Sequence, residues 1–284
     1  MDANLSMPSI YWEEAEKKGT LELFAYETDD LLKTEEKVKK TAYVYLPHGY
    51  QRETAGKIVY YMHGAGVDME EMLCHGAESS PLKNILDNLI LRGEIEPLIV
   101  VFPTYYQENY TPDNCTREKD FFLAEKFPKE LIHTLLPAVE GKYLPALSCE
   151  REKQREKRAF GGFSFGGGIA WEVWKHCVDY FAFFFPNSGY YLKKIKDNAA
   201  NMQALANETA DFLRASRIDK RKFRIHAMTG SRDIAYEPMK AQIEAMREHK
   251  DLFDQENLQF FVLQDGLHDS ICAGIYFYHA LKYF

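Results

Sequence analysis

Cysteine is scarce and scattered in this 284-residue sequence: Cys74, Cys115, Cys149, Cys177 and Cys272 include no C-x-x-C pair. An odd number cannot all pair within one chain, so reduced thiols are expected rather than a disulfide framework. Long apolar runs are also missing. The densest, around residues 180–186, falls far short of the roughly 18 residues a membrane-spanning helix needs. Nor is there a basic block, since 35 Lys and Arg stand against 43 Asp and Glu for a net charge of −8. That balance argues against nucleic acid or an anionic membrane as the main partner, because both are held by clustered cations. The most basic stretch, residues 151–158, is interleaved with glutamate and reads as a solvated loop. The first twenty residues mix Glu13, Glu14 and Glu16 with Lys17 and Lys18, giving neither the basic nor the apolar part of an export signal, so a cytoplasmic protein is expected. No HExxH, paired ligand spacing or P-loop ending occurs, and no metal or cofactor is expected.

What the chain does have is core material. Hydrophobic residues make up 46% and aromatics 14%, enough for a large packed interior and too much for a disordered chain. Strand-like and helix-like patterns alternate along it. Residues 20–26 and 41–46 alternate apolar and polar positions, as two antiparallel strands exposed on one face do. From residue 57 the strands become continuous apolar runs at 58–62 and 98–102, as expected for parallel strands covered on both faces. Ser80-Pro81 opens a crossover helix that ends at Gly93, and residues 121–143 repeat a helical pattern with Pro128 and Pro137 as boundaries. Further strands are expected at 159–163, 180–185, 223–229 and 258–263, with helices at 169–176, 199–215, 238–250 and 273–281. No repeat or linker interrupts the pattern. The expectation is one doubly wound α/β domain over residues 1–284, with about eight strands and a possible small cap over residues 187–216.

Gly162-Phe163-Ser164-Phe165-Gly166 fits G-x-S-x-G, with a buried strand entering it and a helical pattern leaving it. Such a turn presents a serine hydroxyl above a sheet, and small neighbours let strand and helix approach. The bland alternative, a glycine-rich turn that happens to hold a serine, does not need those flanks. Serine alone is a weak nucleophile and requires a base and an orienting acid. The strand at 223–229 runs into Gly230-Ser231-Arg232-Asp233, and the strand at 258–263 runs into Gln264-Asp265-Gly266-Leu267-His268. Ser164, Asp233 and His268 therefore stand in the order nucleophile, acid, base that this kind of fold uses. Asp265 and Asp269 also lie near His268 in sequence and compete with Asp233 for the acid's role, the bland alternatives being helix N-caps or solvated loop acids. An oxyanion needs two preorganised donors. They are assigned to the Phe165 N–H and, in the His63-Gly64-Ala65-Gly66 loop, to the Ala65 N–H, with Gly64 and Gly66 permitting the turn and the substrate's approach. His63 is read as a packing residue, not a proton carrier.

These residues, with Tyr43-Val44-Tyr45-Leu46-Pro47, Gly93-Glu94-Ile95-Glu96-Pro97-Leu98-Ile99-Val100-Val101 and Pro186-Asn187-Ser188-Gly189, resemble the α/β-hydrolase superfamily. Within it the chain is similar to the esterase D and feruloyl esterase group, carbohydrate esterase family 1, including feruloyl esterases of rumen and gut microbes. The resemblance implies an α/β-hydrolase fold with helices on both faces of the sheet. It also implies cofactor-independent hydrolysis of carboxylic esters through an acyl-enzyme, on small-molecule or oligosaccharide esters such as hydroxycinnamoyl esters of plant sugars. Alternatives are an acetyl esterase, a thioesterase of the S-formylglutathione type, or an inactive hydrolase fold serving as a binding module. Members commonly carry Met where Phe165 stands, and many have Trp or Phe where Ser270 stands, so the acyl preference is open. Among the loop aromatics Tyr105, Tyr106, Tyr110, Tyr190 and Tyr191, Tyr105 is the candidate to stack on a phenolic acid because it directly follows a strand end. The sequence assigns no oligomeric state.

Overall fold

A computed structural model describes residues 5–31, 36–53, 56–74, 80–107, 110–145, 154–191 and 199–284. An eight-stranded sheet organises the chain, in the spatial order β1-β2-β4-β3-β5-β6-β7-β8. β1 (Thr20–Asp29) and β2 (Lys37–Leu46) form the antiparallel start, and β2 also runs antiparallel to β4 (Ile99–Phe102). β3 (Ile58–Met62), β5 (Arg158–Phe163), β6 (Phe183–Asn187), β7 (Arg224–Gly230) and β8 (Leu258–Leu263) complete a parallel body.

Period-two alternation sends the residues of β3 into two cores. Ile58, Tyr60 and Met62 join one cluster, while Val59 and Tyr61 join the other. All five residues of this strand are buried, which is why its sequence shows no polar alternation. Eight helices flank the sheet among the described residues: α1 (Met69–Met72), α2 (Pro81–Leu91), α3 (Arg117–Glu130), α4 (Leu136–Tyr143), α5 (Phe165–Cys177), α6 (Ala199–Ala215), α7 (Tyr236–Arg247) and α8 (Ser270–Tyr283). Leu82, Ile85 and Leu89 of α2 and Tyr276, Phe277 and Leu281 of α8 cover one face. Phe127 of α3, Val139 of α4, Trp171 and Trp174 of α5, Leu213 of α6 and Ile243 of α7 cover the other. The cap at α2 is as its sequence implies: Ser80 accepts a hydrogen bond from the Lys83 amide, and Pro81 sits where no intrahelical amide is needed.

Several expectations are corrected. Pro128 does not end a helix; α3 runs through it to Glu130, and a π-helical turn at Leu131–Leu135 then leads into α4. A proline leaves its ring and missing amide to be absorbed by the backbone around it, and burial of Leu123, Phe127, Leu131 and Leu135 holds the segment together. Pro137 does lie in the first turn of α4. β6 continues through Pro186 to Asn187, beyond the expected end at 185, although its pairing with β7 skips residues 185 and 186. The basic stretch is not a solvated loop where it is described: Arg155 and Arg158 are buried. Arg158 donates to the Glu140 carboxylate through Nε and Nη2, each at 2.6 Å, and Arg155 donates to the carbonyls of Val178 and Phe181. Within the possible cap, residues 192–198 lie outside the described residues. Met202, Leu205, Ala206, Ala210 and Leu213 of α6 belong to the main core. Cys74, Cys115, Cys177 and Cys272 are free thiols, and Cys149 lies outside the described residues.

Candidate active site

Ser164 stands between the end of β5 and the start of α5, with φ 58° and ψ −121°. Few L-residues adopt this conformation, and holding it takes on the order of 1–3 kcal/mol from the surrounding structure. Two contacts supply the grip: the Ser164 amide donates to the Asn187 carbonyl at 2.9 Å, and its carbonyl accepts from the Gly168 amide at 3.1 Å. Close approach explains one glycine in particular, since a Cβ on Gly166 would lie 2.3 Å from the Met62 carbonyl oxygen. α5 can therefore start directly against β3 only with glycine there, and the serine hydroxyl is lifted above the sheet edge.

Asp233 and His268, the candidate acid and base, arrive from the carboxyl ends of β7 and β8. His268 Nε2 lies 2.8 Å from Ser164 Oγ, and His268 Nδ1 lies 2.8 Å from Asp233 Oδ1. The carboxylate can only accept, so Nδ1 carries the proton and Nε2 is free to accept from the serine hydroxyl. The Asp233 side chain is wholly buried and the His268 side chain is 23% exposed. Burial alone would raise the Asp233 pKa. Hydrogen bonds from His268, the Ala235 amide at 2.7 Å and Ser188 Oγ at 2.7 Å outweigh it and hold the carboxyl below its ordinary value. The imidazole also packs on Phe163, their ring centroids 4.8 Å apart. Of the competing acids, Asp269 caps α8 by accepting from the Cys272 amide, and Asp265 is exposed at the end of β8.

On the opposite side of Ser164 lies the loop after β3. Gly64 packs against the serine, since a Cβ placed on it would sit 3.3 Å from Ser164 Cβ and 3.7 Å from Ser164 Oγ. Ala65 and Gly66 follow it at the surface, and Phe165 is the first residue of α5, where backbone amides have no intrahelical acceptor. The Gly66 amide donates to Tyr106 Oη at 3.2 Å. His63 is fully buried, donates from Nδ1 to the Gly64 carbonyl at 2.7 Å and accepts at Nε2 from the Thr104 hydroxyl at 2.7 Å. Desolvation pushes its pKa down to about 4, so it is a neutral brace for this loop.

Tyr105 is a correction. Its ring has no exposed surface and packs between His63, Tyr106 and Phe165, and its hydroxyl donates to Tyr106 at 2.9 Å. The stretch after β4 turns inward, so Tyr105 supports the loop from beneath and cannot stack on a ligand. Tyr106 and Tyr191 are buried as well, and Tyr110 lies under the Lys119 ammonium.

The sequence did not single out Ser188 as part of this arrangement, nor three exposed aliphatics beside it. Ile234 is 79% exposed, Leu267 44% and Ile271 63%, and each lies within three residues of Asp233 or His268. Their signal was available only as apolar residues next to polar ones, two in loops and Ile271 in the first turn of α8. No group of three or more His, Cys, Asp or Glu side chains able to hold a metal occurs among the described residues. No helix among them is long and apolar enough to cross a membrane.

An elbow serine, a relaying histidine and a buried aspartate at the carboxyl ends of a mostly parallel sheet define an α/β-hydrolase. Residues 34–267 match the family described as "Putative esterase", and the chain belongs to that family. It is 36% identical over 254 residues to endo-1,4-beta-xylanase Y of Acetivibrio thermocellus, covering 86% of this chain and 22% of that protein. It is 32% identical over 133 residues to an endo-1,4-beta-xylanase/feruloyl esterase of Xylanibacter ruminicola, covering 45% of this chain and 16% of that one. The chain thus spans about a fifth of the length of the curated relatives it matches. A solved feruloyl esterase module of Clostridium thermocellum, complexed with sinapinate, superposes with a TM-score of 0.81 at 32% identity over 100% of this chain and 94% of that one.

Proposed function

We propose that this chain is a serine esterase that hydrolyses hydroxycinnamoyl esters, on small molecules or oligosaccharides, through an acyl-enzyme. The observation that carries the proposal is the unbroken hydrogen-bonded line Ser164–His268–Asp233, with both links at 2.8 Å. Ser164 Oγ attacks the ester carbonyl carbon while its proton passes to His268 Nε2. Negative charge moves onto the carbonyl oxygen, and the Phe165 and Ala65 amides receive it. Asp233 steadies the imidazolium. When the tetrahedral intermediate collapses, the carbon–oxygen bond to the alcohol breaks and His268 returns its proton to the departing oxygen. Water, deprotonated by the same imidazole, then attacks the acyl-serine and frees the acid and the enzyme.

Support for an aromatic acyl group comes from the Xylanibacter ruminicola relative named as a feruloyl esterase and from the solved feruloyl esterase module complexed with sinapinate. The exposed Ile234, Leu267 and Ile271 beside the acid and base are also suited to an apolar ligand. The test is a panel of methyl ferulate, acetylated xylan and S-formylglutathione offered to purified protein. Methyl ferulate is expected to be the best substrate, and Ser164→Ala is expected to lower its turnover by several orders of magnitude. Unaltered turnover in that variant would remove Ser164 from the mechanism. Preference for either of the other substrates would replace the acyl assignment.

A further inference from the structure

We propose that Ser188 is a positioning residue for the catalytic acid, an inference that rests on the Ser164–His268–Asp233 reading above. Asp233 uses Oδ1 for His268 and the Ala235 amide, and its second oxygen, Oδ2, accepts from Ser188 Oγ at 2.7 Å. Ser188 immediately follows β6, is 2% exposed, and is itself held by its amide, which donates to the Met228 carbonyl of β7 at 2.7 Å. The preceding carbonyl, of Asn187, accepts from the Ser164 amide at 2.9 Å, and the following one, of Gly189, accepts from Trp171 Nε1 at 2.9 Å. One turn therefore anchors the nucleophile through its backbone and the acid through a side chain.

The backbone of this turn points the same way. Ser188 has φ 47°, in the left-handed region that favours glycine. Five non-glycine residues have positive φ among the described residues, and Ser164 and Ser188 are two of them. A glycine would satisfy the turn without strain, so a serine here is explained by its hydroxyl and not by its backbone. Pinning Oδ2 stops the carboxylate rotating about Cβ–Cγ and keeps Oδ1 in line with the His268 Nδ1 proton. It also draws charge toward Oδ2. Without that bond more charge sits on Oδ1, and the imidazolium is held more tightly. A further titratable group near this acid is Tyr276 of α8, pushed upward by burial and neutral near pH 7, with Cys272, likewise pushed upward and neutral, beside the tyrosine and Asp269 beside Cys272.

The experiment uses Ser188→Gly, which suits φ 47° and deletes the hydroxyl, with Ser188→Ala as its companion because it keeps the Cβ. For methyl ferulate, kcat is expected to fall about 10- to 100-fold, the loss that one charge-assisted hydrogen bond implies. KM should stay within about twofold. The acid limb of the kcat/KM profile should move up by about half a pH unit, since less of the imidazole is deprotonated at a given pH. The melting temperature of Ser188→Gly should fall by no more than a few degrees, since relief of the positive φ offsets the freer unfolded chain and the lost hydrogen bond. A merely structural serine would lower the melting temperature by more than that and leave kcat and the acid limb in place. Wild-type kcat with an unshifted limb in either folded variant overturns the proposal. If the parent protein turns over neither methyl ferulate nor p-nitrophenyl acetate, the triad reading itself fails, a result distinct from failure of the positioning role alone.

Discussion

Replacing Gly64 with alanine should separate catalysis from folding. The new methyl would meet Ser164 Cβ at 3.3 Å, the Phe163 carbonyl at 3.6 Å and Ser164 Oγ at 3.7 Å, contacts that small shifts relieve. Gly64 does not have the positive φ that would strain an alanine. The packing cost is therefore about 1 kcal/mol. It is offset by about 0.4–1 kcal/mol from the less flexible unfolded chain. Catalysis has no such tolerance. The methyl stands beside the attacking oxygen, on the side of the loop amide assigned to the oxyanion, and a few tenths of an ångström of movement there spoils both the attack and the hydrogen bond to His268. Loss of one oxyanion donor costs about 10²–10³ in kcat, or about 2.7–4 kcal/mol. Gly64→Ala is expected to lose about 100-fold in kcat/KM for an aryl ester while melting within a few degrees of the parent. Steady-state kinetics, normalised by fluorophosphonate titration of Ser164, and a thermal melt measure the two effects. A variant with wild-type kcat/KM would refute the placement of the oxyanion beside this loop.

Two further predictions concern stability. His63 and His226 are buried, and burial pushes each pKa down to about 4, so the native state excludes a proton that the unfolded chain binds below about 6.5. Their contribution is fully present above about pH 6.5 and declines as pH falls toward 4, by about 3 kcal/mol for each group. His226→Phe, in a site already lined by Phe185, Phe261 and Tyr283, should flatten the dependence of unfolding free energy on pH between 6.5 and 4; an unchanged slope in urea titrations would contradict this. Arg158→Met alone should cost about 3–5 kcal/mol, because it strands the buried Glu140 carboxylate, and adding Glu140→Leu should recover most of the loss. Strictly additive effects in chemical denaturation would rule out the coupling.

The parallel core strands were legible because burial on both faces leaves an unbroken apolar run, as at Ile58–Met62. The elbow that presents Ser164, the candidate nucleophile, was legible because a strand-to-helix turn of this kind imposes glycine at fixed offsets. Asp233 and His268 were legible because each follows its own strand end, which the sheet topology brings to one rim. Ser188 was not, since a serine after a strand carries no local mark of the carboxylate it serves, 45 residues further along.

Sequence by itself determined the alternation of strands and helices, the antiparallel start, the elbow, and the order serine, aspartate, histidine. These follow from side-chain period and turn chemistry, which act over a few residues. Tertiary structure alone decided that Lys40 meets Glu130 in the interior, 90 residues away, that Arg155 and Arg158 are buried, and that Tyr105 faces inward instead of toward a ligand. It also carried α3 through Pro128. In each case the outcome depends on a partner distant along the chain: a buried charge is stable only where an opposite charge or a carbonyl meets it, and an aromatic ring turns to whichever side offers contact.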